Sequence, residues 1–142
     1  MTYPPKDLYR KFTINAPDQG TEAGKTSSLR ARGSYYETAA AAILSQKGYE
    51  IFCTNYRCPL GEIDLIARYE NYLVFIEVKY RRGQKKGAPE QSVDLKKRRR
   101  ITQSARWYMM EKKLPADTPV RFDVVSIWGG TVKIYENAFY IE

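Results

Sequence analysis

Two adjacent segments, residues 62–69 and 72–80, constrain the fold of this chain more strongly than any other feature of its sequence. Both are rich in β-branched and aromatic residues, and the dipeptide Glu70-Asn71 separates them. Such residues favour strands, and a short polar turn between two strands is typical of a β-hairpin. A symmetric loop centred on this dipeptide also fixes the register, because paired residues then have numbers with a constant sum. The sequence therefore predicts an antiparallel hairpin of defined register.

The predicted register gathers four ionisable side chains on one face of the hairpin. It places Asp64 opposite Glu77 and Glu62 opposite Lys79, with paired Cβ atoms about 4.5 to 5.5 Å apart. Apolar residues occupy both faces of the hairpin, so we expect these charges to be partly desolvated. Facing carboxylates repel each other unless one is protonated or a cation lies between them. We therefore predict that Asp64 and Glu77 bind Mg²⁺ or Mn²⁺ beside the Lys79 ammonium, an arrangement suited to phosphodiester hydrolysis.

A purely structural interpretation of the same side chains stays open. Ion pairs between Glu62 and Lys79, and between Asp64 and Arg81, would hold the strand register without any reaction. Two facing acids argue against this interpretation, because a structural network seldom needs them and buried charges usually cost stability.

The absence of histidine limits the chemistry that this chain can perform. It excludes Ser-His and Cys-His nucleophile pairs and removes the commonest zinc ligand. Cys53 and Cys58 have no further sulfur or imidazole to complete a tetrahedral site, so we assign them to packing as reduced thiols. The sequence also has no apolar run long enough to span a bilayer and no signal segment. We therefore expect a cytoplasmic protein without a membrane partner.

Periodicity and turn residues predict the remaining elements. Scattered Pro, Gly and Ser predict that residues 1–32 form a flexible basic leader, which leaves residues 33–142 as a single domain. Glu37 lies beside the buried stripe of the first helix and could add a third carboxylate, although a solvated position is commoner for such a residue. Asp123 could be an additional site residue, but a structural partner for Arg121 or for a helix end is the commoner role. The predicted elements are helix 33–48, strand 49–56, the hairpin, helix 89–113, strands 120–128 and 131–135, and a short strand 138–141.

Positive charge favours a polyanionic partner, because 24 Lys and Arg outnumber 16 Asp and Glu to give a formal net charge of +8. The consecutive cations Lys96–Arg100 repel one another, which a nearby polyanion would relieve; a solvated helix face is the alternative. Lys97 is expected on the packed side of its helix, because Ile101 and Ala105 follow at i+4 and i+8. The predicted nucleic-acid ligands are Arg57, Arg81, Arg82, Lys85, Lys86, Lys96, Lys97 and Arg100.

Ordered motifs from about Gly33 to Trp128 resemble the YraN-like protein family. That family is similar to the restriction-endonuclease-like superfamily, PD-(D/E)XK, and to its archaeal Holliday-junction resolvase branch. The motifs are Gly33-Ser34-Tyr35-Tyr36-Glu37, Asn55-Tyr56-Arg57, Gly61-Glu62-Ile63-Asp64-Leu65-Ile66, Phe75-Ile76-Glu77-Val78-Lys79 and Arg121-Phe122-Asp123-Val124-Val125. The third motif keeps the acid of the superfamily's Pro-Asp and lacks its proline.

The resemblance implies a restriction-endonuclease-like core of class α/β or α+β, in which helices flank a mixed β-sheet in the order α-β-β-β-α-β. It also implies Mg²⁺ bound by Asp64 and Glu77, Lys79 as the catalytic lysine and Glu37 as an accessory acid. We therefore expect a Mg²⁺-dependent endonuclease acting on branched or junction DNA, with a homodimer to match two equivalent cuts. Two further hypotheses are a catalytically inactive nucleic-acid-binding module and a basic scaffold for acidic proteins.

Overall fold

The computed structural model of the chain describes residues 9–13, 29–81 and 94–139, with side chains described for residues 35–81 and 94–139. The described elements are, in chain order, β1 (Tyr9–Thr13), α1 (Leu29–Gln46), β2 (Glu50–Cys58), β3 (Gly61–Tyr69), β4 (Tyr72–Arg81), α2 (Leu95–Glu111), β5 (Val120–Trp128) and β6 (Thr131–Phe139). The expected order α-β-β-β-α-β is present from α1 to β5, and β6 follows it.

The described strands form one mixed sheet in the order β1-β6-β5-β4-β3-β2. Strands β4 and β5 run parallel, whereas the other neighbouring strands run antiparallel. A parallel pair needs a crossover connection, and α2 lies in the connection between β4 and β5. The expected class, a mixed sheet flanked by helices, is confirmed.

Helices α1 and α2 cover opposite faces of the sheet. Successive residues of β4 point to opposite faces, so Val74 packs with Leu44 of α1 while Phe75 packs with Ile101 of α2. Residues 73–77 of β4 are buried on both faces, which explains why this strand is a nearly continuous apolar run. The charged residues that follow in β4 therefore lie at the end of the sheet core.

Local signals fix the ends of both helices. Gly48, with φ +99°, follows α1, and the amides of Gly48 and Tyr49 donate to the carbonyls of Ser45 and Leu44 at 3.1 and 3.0 Å. These two bonds form a Schellman motif, in which a left-handed glycine ends a helix, so the predicted stop at Gly48 is confirmed. Helix α2 begins after Asp94. Residues 89–93, which belong to the predicted second helix, lie outside the described residues.

Two described segments fall within the predicted leader. Strand β1 pairs with β6, and α1 begins at Leu29, before the predicted start at Gly33. The sequence interpretation missed β1 because its alternation is short and lies among Pro- and Gly-rich residues. The other residues of the leader lie outside the described part of the chain, and the domain boundary at residue 33 stays a prediction.

The two strands predicted at 131–135 and 138–141 are one strand, β6, which runs to Phe139. Buried Glu136 and Asn137 interrupt its apolar alternation, and Asn137 has φ +54°. The Asn137 amide donates to Asp123 Oδ1 at 2.9 Å, so a side chain of β5 holds this irregular point in the sheet. Neither helix of the described ranges is both long and apolar enough to cross a membrane.

Candidate active site

The hairpin register is as predicted over its turn-proximal half. Backbone pairs run from Tyr69 opposite Tyr72 to Leu65 opposite Ile76. The paired register stops there, and the Val78 amide donates instead to Oδ2 of Asp64 at 2.7 Å. The paired register ends one step before the predicted Asp64–Glu77 pair, so that direct pairing stays a prediction. The Asp64 side chain contacts β4 through this bond to Val78.

Glu77 provides the second carboxylate of the site from the buried strand β4. Its side chain is 8% exposed, and its Oε1 lies 2.5 Å from Nζ of Lys97 and 3.7 Å from Nζ of Lys79. Lys79 reaches Glu77 from the same strand, because residues two apart share a face. Lys97 reaches it from α2. Two ammonium groups therefore converge on one carboxylate oxygen.

Helix α1 brings a third carboxyl group to the site. Glu37 forms side-chain hydrogen bonds with Asp64 and Asn55. Its Oε2 is buried and has no hydrogen-bond partner within the described residues. The structure thus brings together all four residues predicted to be catalytic: Glu37, Asp64, Glu77 and Lys79.

The electrostatics of the site follow from this crowding of acids. Burial, followed by repulsion from Glu77, raises the pKa of Asp64 to about 8. Burial is also the first cause that raises the pKa of Glu37, and repulsion from Glu62 and Glu77 adds to it. The two carboxyl groups hydrogen-bond each other, which requires that one of them carry a proton, and the raised pKa values of both acids favour that state.

The two lysines respond in opposite directions to the same surroundings. Burial lowers the pKa of Lys79, and the neighbouring Lys97 lowers it further. Burial is the largest single influence on Lys97 and opposes its charge, but Glu77, together with Lys79 and Asp64, raises the pKa of Lys97 on balance. Lys97 is therefore the firmer cation of the pair, and its ion pair with Glu77 is the shorter one.

A cleft of about 840 Å³ opens above the carboxylates. Asp64 and Glu77 line its floor. Arg57, whose Nε lies 3.7 Å from Oε2 of Glu62, belongs to the wall formed beside the β2–β3 turn. The opposite wall belongs to α2 and carries Lys96, Lys97 and Arg100. The walls also carry Glu62 and Asp94, but cations outnumber these acids, so the walls are basic on balance and suit a phosphate chain that approaches a cation.

Of the remaining predicted nucleic-acid ligands, Arg81 lies within the described residues. Arg81 ends β4 and is close enough to Lys79 to help lower its pKa. Arg82, Lys85 and Lys86 lie outside the described residues.

The described acids can contribute to a site for a hard divalent ion but do not form a complete cage. No group of three or more His, Cys, Asp or Glu side chains in the described ranges is arranged to hold a metal. Mg²⁺ normally takes one or two carboxylates and keeps several waters, so Asp64 and Glu77 match its needs. The buried, unpartnered Oε2 of Glu37 is a further acceptor that a hydrated ion could satisfy. The donor set therefore fits Mg²⁺ or Mn²⁺ and does not fit zinc.

Asp123 lies outside this cluster, and its carboxylate belongs to a structural hydrogen-bond network. Its carboxylate accepts from Arg121 Nε and from the hydroxyl of Tyr49 at 2.8 and 2.9 Å, in addition to the Asn137 amide. Arg121 and Asp123 are both buried. The expectation that Asp123 is a structural partner of Arg121 is confirmed.

Asn55 and Asp94 have supporting roles that were not assigned from the sequence. Asn55, with φ +53°, directs its side chain to Glu37. Asparagine tolerates this left-handed conformation better than most residues, so the residue type at position 55 is the sequence signal for such a backbone. Asp94 caps α2 by accepting from the Lys97 amide at 2.8 Å, as an aspartate before the first turn of a helix commonly does.

Comparison with known proteins places the whole site within one family. The family described as "Uncharacterised protein family UPF0102" matches residues 36–127. A UPF0102 protein of Lachnoclostridium phytofermentans is 48% identical over 110 residues, which cover 78% of this chain and 93% of that protein. A UPF0102 protein of Moorella thermoacetica is 48% identical over 103 residues, covering 72% and 85% of the two chains. A third, from Clostridium botulinum strain Loch Maree, is 41% identical over 115 residues, covering 77% and 94%. The chain therefore belongs to the family UPF0102.

Proposed function

We propose that this chain is a Mg²⁺-dependent endonuclease that hydrolyses phosphodiester bonds in branched or junction DNA. One observation carries the proposal: Asp64 and Glu77, with two ammonium groups at Glu77, lie on the floor of a cleft with basic walls. Such a cluster is costly for folding, since buried like charges repel, and it is typical of functional sites.

In the proposed reaction, Asp64 and Glu77 would hold Mg²⁺ (or Mn²⁺), which acidifies a water and neutralises charge on the attacked phosphate. Lys79 stabilises charge that develops on the phosphate, because its ammonium lies beside Glu77 on the same strand. Glu37 would take up the proton of Asp64 when both carboxylates hold the ion, because the two carboxyl groups are hydrogen-bonded. These roles use oxygen and amine groups only, as the absence of histidine requires.

The proposed superfamily is PD-(D/E)XK. Its support is the order of elements from α1 to β5 together with the acid, the second acid and the lysine on β3 and β4. The resemblance to Holliday-junction resolvases favours DNA with branches over linear duplex. A homodimer, which would present two equivalent clefts to a symmetric junction, is part of the proposal. Its proposed compartment is the cytoplasm, in keeping with the two free cysteines of the described residues.

The decisive experiment incubates the purified full chain with labelled four-way junctions, flaps, linear duplex and single strands. Each reaction contains Mg²⁺, Mn²⁺ or a chelator. Cleavage of branched substrates is expected with either metal and not with the chelator. Asp64→Asn and Lys79→Met should each lower the rate by a factor of about 100 or more.

Asp117→Asn is the matched control, because Asp117 is an exposed acid in the loop after α2. It should cleave as the wild type does. If the wild type cleaves none of these substrates but binds them in a salt-dependent manner, the inactive binding module replaces the proposal. If DNA fails to bind and acidic proteins bind instead, the basic scaffold replaces it.

A further inference from the structure

Lys97 holds the position on Glu77 that an incoming metal ion would need. Its Nζ lies 2.5 Å from Oε1 of Glu77, whereas Nζ of Lys79 is 3.7 Å from the same oxygen. A buried carboxylate without a cation is costly, so this ammonium stabilises Glu77 in the protein without metal. The same oxygen cannot retain two ammonium groups and also bind a divalent cation, because the three cations repel one another.

The side chains of Lys79 and Lys97 differ in how easily they can move away from Glu77. The Lys79 side chain is 18% exposed and projects from the central strand β4, whereas that of Lys97 is 41% exposed. Lys97 also lines the cleft. Its four-carbon stem can therefore swing its charge into solvent without unpacking the sheet.

The backbone of Lys97 is held while its side chain can move. Its amide donates to the Asp94 cap at 2.8 Å, and Ile101, one turn later, is 3% exposed. The first turn of α2 thus directs the stem of Lys97 toward Glu77. A movement of Lys97 therefore requires side-chain rotation only.

We propose that Lys97 is a positioning residue that substitutes for the divalent cation on Glu77 and is displaced into the cleft when that cation binds. This inference rests on the proposed metal site. It means that metal binding exposes a cation on the α2 wall beside Lys96 and Arg100, where a phosphate chain would approach. The protein would therefore bind metal first and gain affinity for the nucleic-acid backbone afterwards.

The test measures Mn²⁺ binding to the full chain by calorimetry, without nucleic acid. Lys97→Met keeps the apolar stem and removes the competing charge, so Mn²⁺ should bind about fivefold more tightly. Lys97→Arg keeps the charge and should bind Mn²⁺ as the wild type does. Lys96→Met removes a charge from the same cleft wall and should change the affinity by less than about twofold. Thermal unfolding of each variant checks that it is folded.

Displacement is observed directly in ¹⁵N–¹H spectra of the lysine ammonium groups, with Lys97→Arg to assign the signal. Lys97 should give a protected signal without metal that is lost when diamagnetic Mg²⁺ is added, while the protected signal of Lys79 persists. A Lys97 signal that persists in the metal-bound wild type overturns the inference and leaves the proposed function intact. Equal Mn²⁺ affinity in the wild type and Lys97→Met also overturns it. If no variant binds Mn²⁺, both the inference and the metal-dependent function fail.

Discussion

At the scale of single residues, the Asp64 carboxyl group forms hydrogen bonds with both a backbone amide and a second acid. Its carboxyl group accepts from the Val78 amide and also hydrogen-bonds with Glu37, which is itself an acid. Both bonds are satisfied when one proton is present, and burial with Glu77 nearby makes that proton hard to lose. The raised pKa of Asp64 therefore favours a protonated form of this carboxyl group near neutral pH.

This shared proton predicts how stability depends on pH. The pKa of Asp64 is raised from 3.8 to about 8, so the folded chain keeps a proton that the unfolded chain releases near pH 4. The free energy of unfolding without metal should therefore fall as pH rises from about 4 to about 8. Asp64→Asn retains an acceptor for Val78 and a donor for Glu37 without the charge. At about pH 8 it should be more stable than the wild type by roughly 2 kcal/mol, and near pH 4 the difference should be small.

Urea unfolding in the presence of a chelator, at several pH values in this range, measures this difference. Asp117→Asn, which removes an exposed carboxylate, should show no comparable trend. A difference between Asp64→Asn and the wild type that stays constant with pH would count against the shared proton.

Much of the site at this scale was predictable from spacing along the chain. Strand alternation placed Glu77 and Lys79 together, and the symmetric turn brought Asp64 to them. The short contact of Lys97 with Glu77 was not predictable, because the rotation of a helix over a sheet depends on packing between distant segments. Helical spacing indicated only that Lys97 would lie on the packed side of α2.

At the scale of elements, the close approach of the β2–β3 turn to α2 sets the walls of the cleft. Gly61, with φ +151°, begins β3, and a Cβ at this position would lie 2.9 Å from Oγ of buried Ser104. A side chain there would push the turn away from α2. The glycine of the Gly61-Glu62-Ile63-Asp64 motif is therefore required by packing, and that motif leads directly to the first carboxylate.

Gly61→Ala should lower the free energy of unfolding by about 2 to 3 kcal/mol, through backbone strain and the contact with Ser104. Gly48→Ala is the matched control, because Gly48 has φ +99° and open space where a Cβ would lie. It should cost only the left-handed backbone strain, about 1 kcal/mol. Chemical denaturation of both variants measures the two costs. Equal losses would show that the turn and α2 can separate freely.

Sequence patterns predicted the elements with strong periodicity and missed those that depend on a partner. The hairpin and the capped end of α1 were recognisable because their signals lie within a few residues. Strand β1 is five residues long and is defined by its pairing with β6. The continuity of β6 depends on Asp123, which holds the Asn137 amide from a neighbouring strand.

At the scale of the whole molecule, the fold places an acidic floor between basic walls in a chain of net charge +8. If Arg57, Lys96 and Arg100 contact phosphates, replacing all three with Ala should reduce the slope of log Kd against log salt by about 2 to 3 for duplex arms. Fluorescence anisotropy with a labelled four-way junction, in chelator to prevent cleavage, measures this slope.

A triple variant with the same loss of charge is the control for this prediction. Lys47, Arg68 and Lys113 are exposed and lie near the other ends of α1, β3 and α2. Replacing them with Ala should leave the slope nearly unchanged. Equal slopes for the two triple variants would indicate a diffuse attraction to the positive chain rather than a track along the cleft.

Strand β4 is paired with β5 from Leu73 to its end at Arg81, while its pairing with β3 ends at Leu65. Glu77 and Lys79 are therefore held in the middle of the sheet by β4. Asp64 and Lys97 belong to segments with fewer backbone hydrogen bonds to the sheet around the site. Under the proposed function, substitutions in β3, the preceding turn and the first turn of α2 should change substrate preference with the least disturbance of the sheet. Engineering of specificity in this scaffold should begin at those segments and leave the central strand untouched.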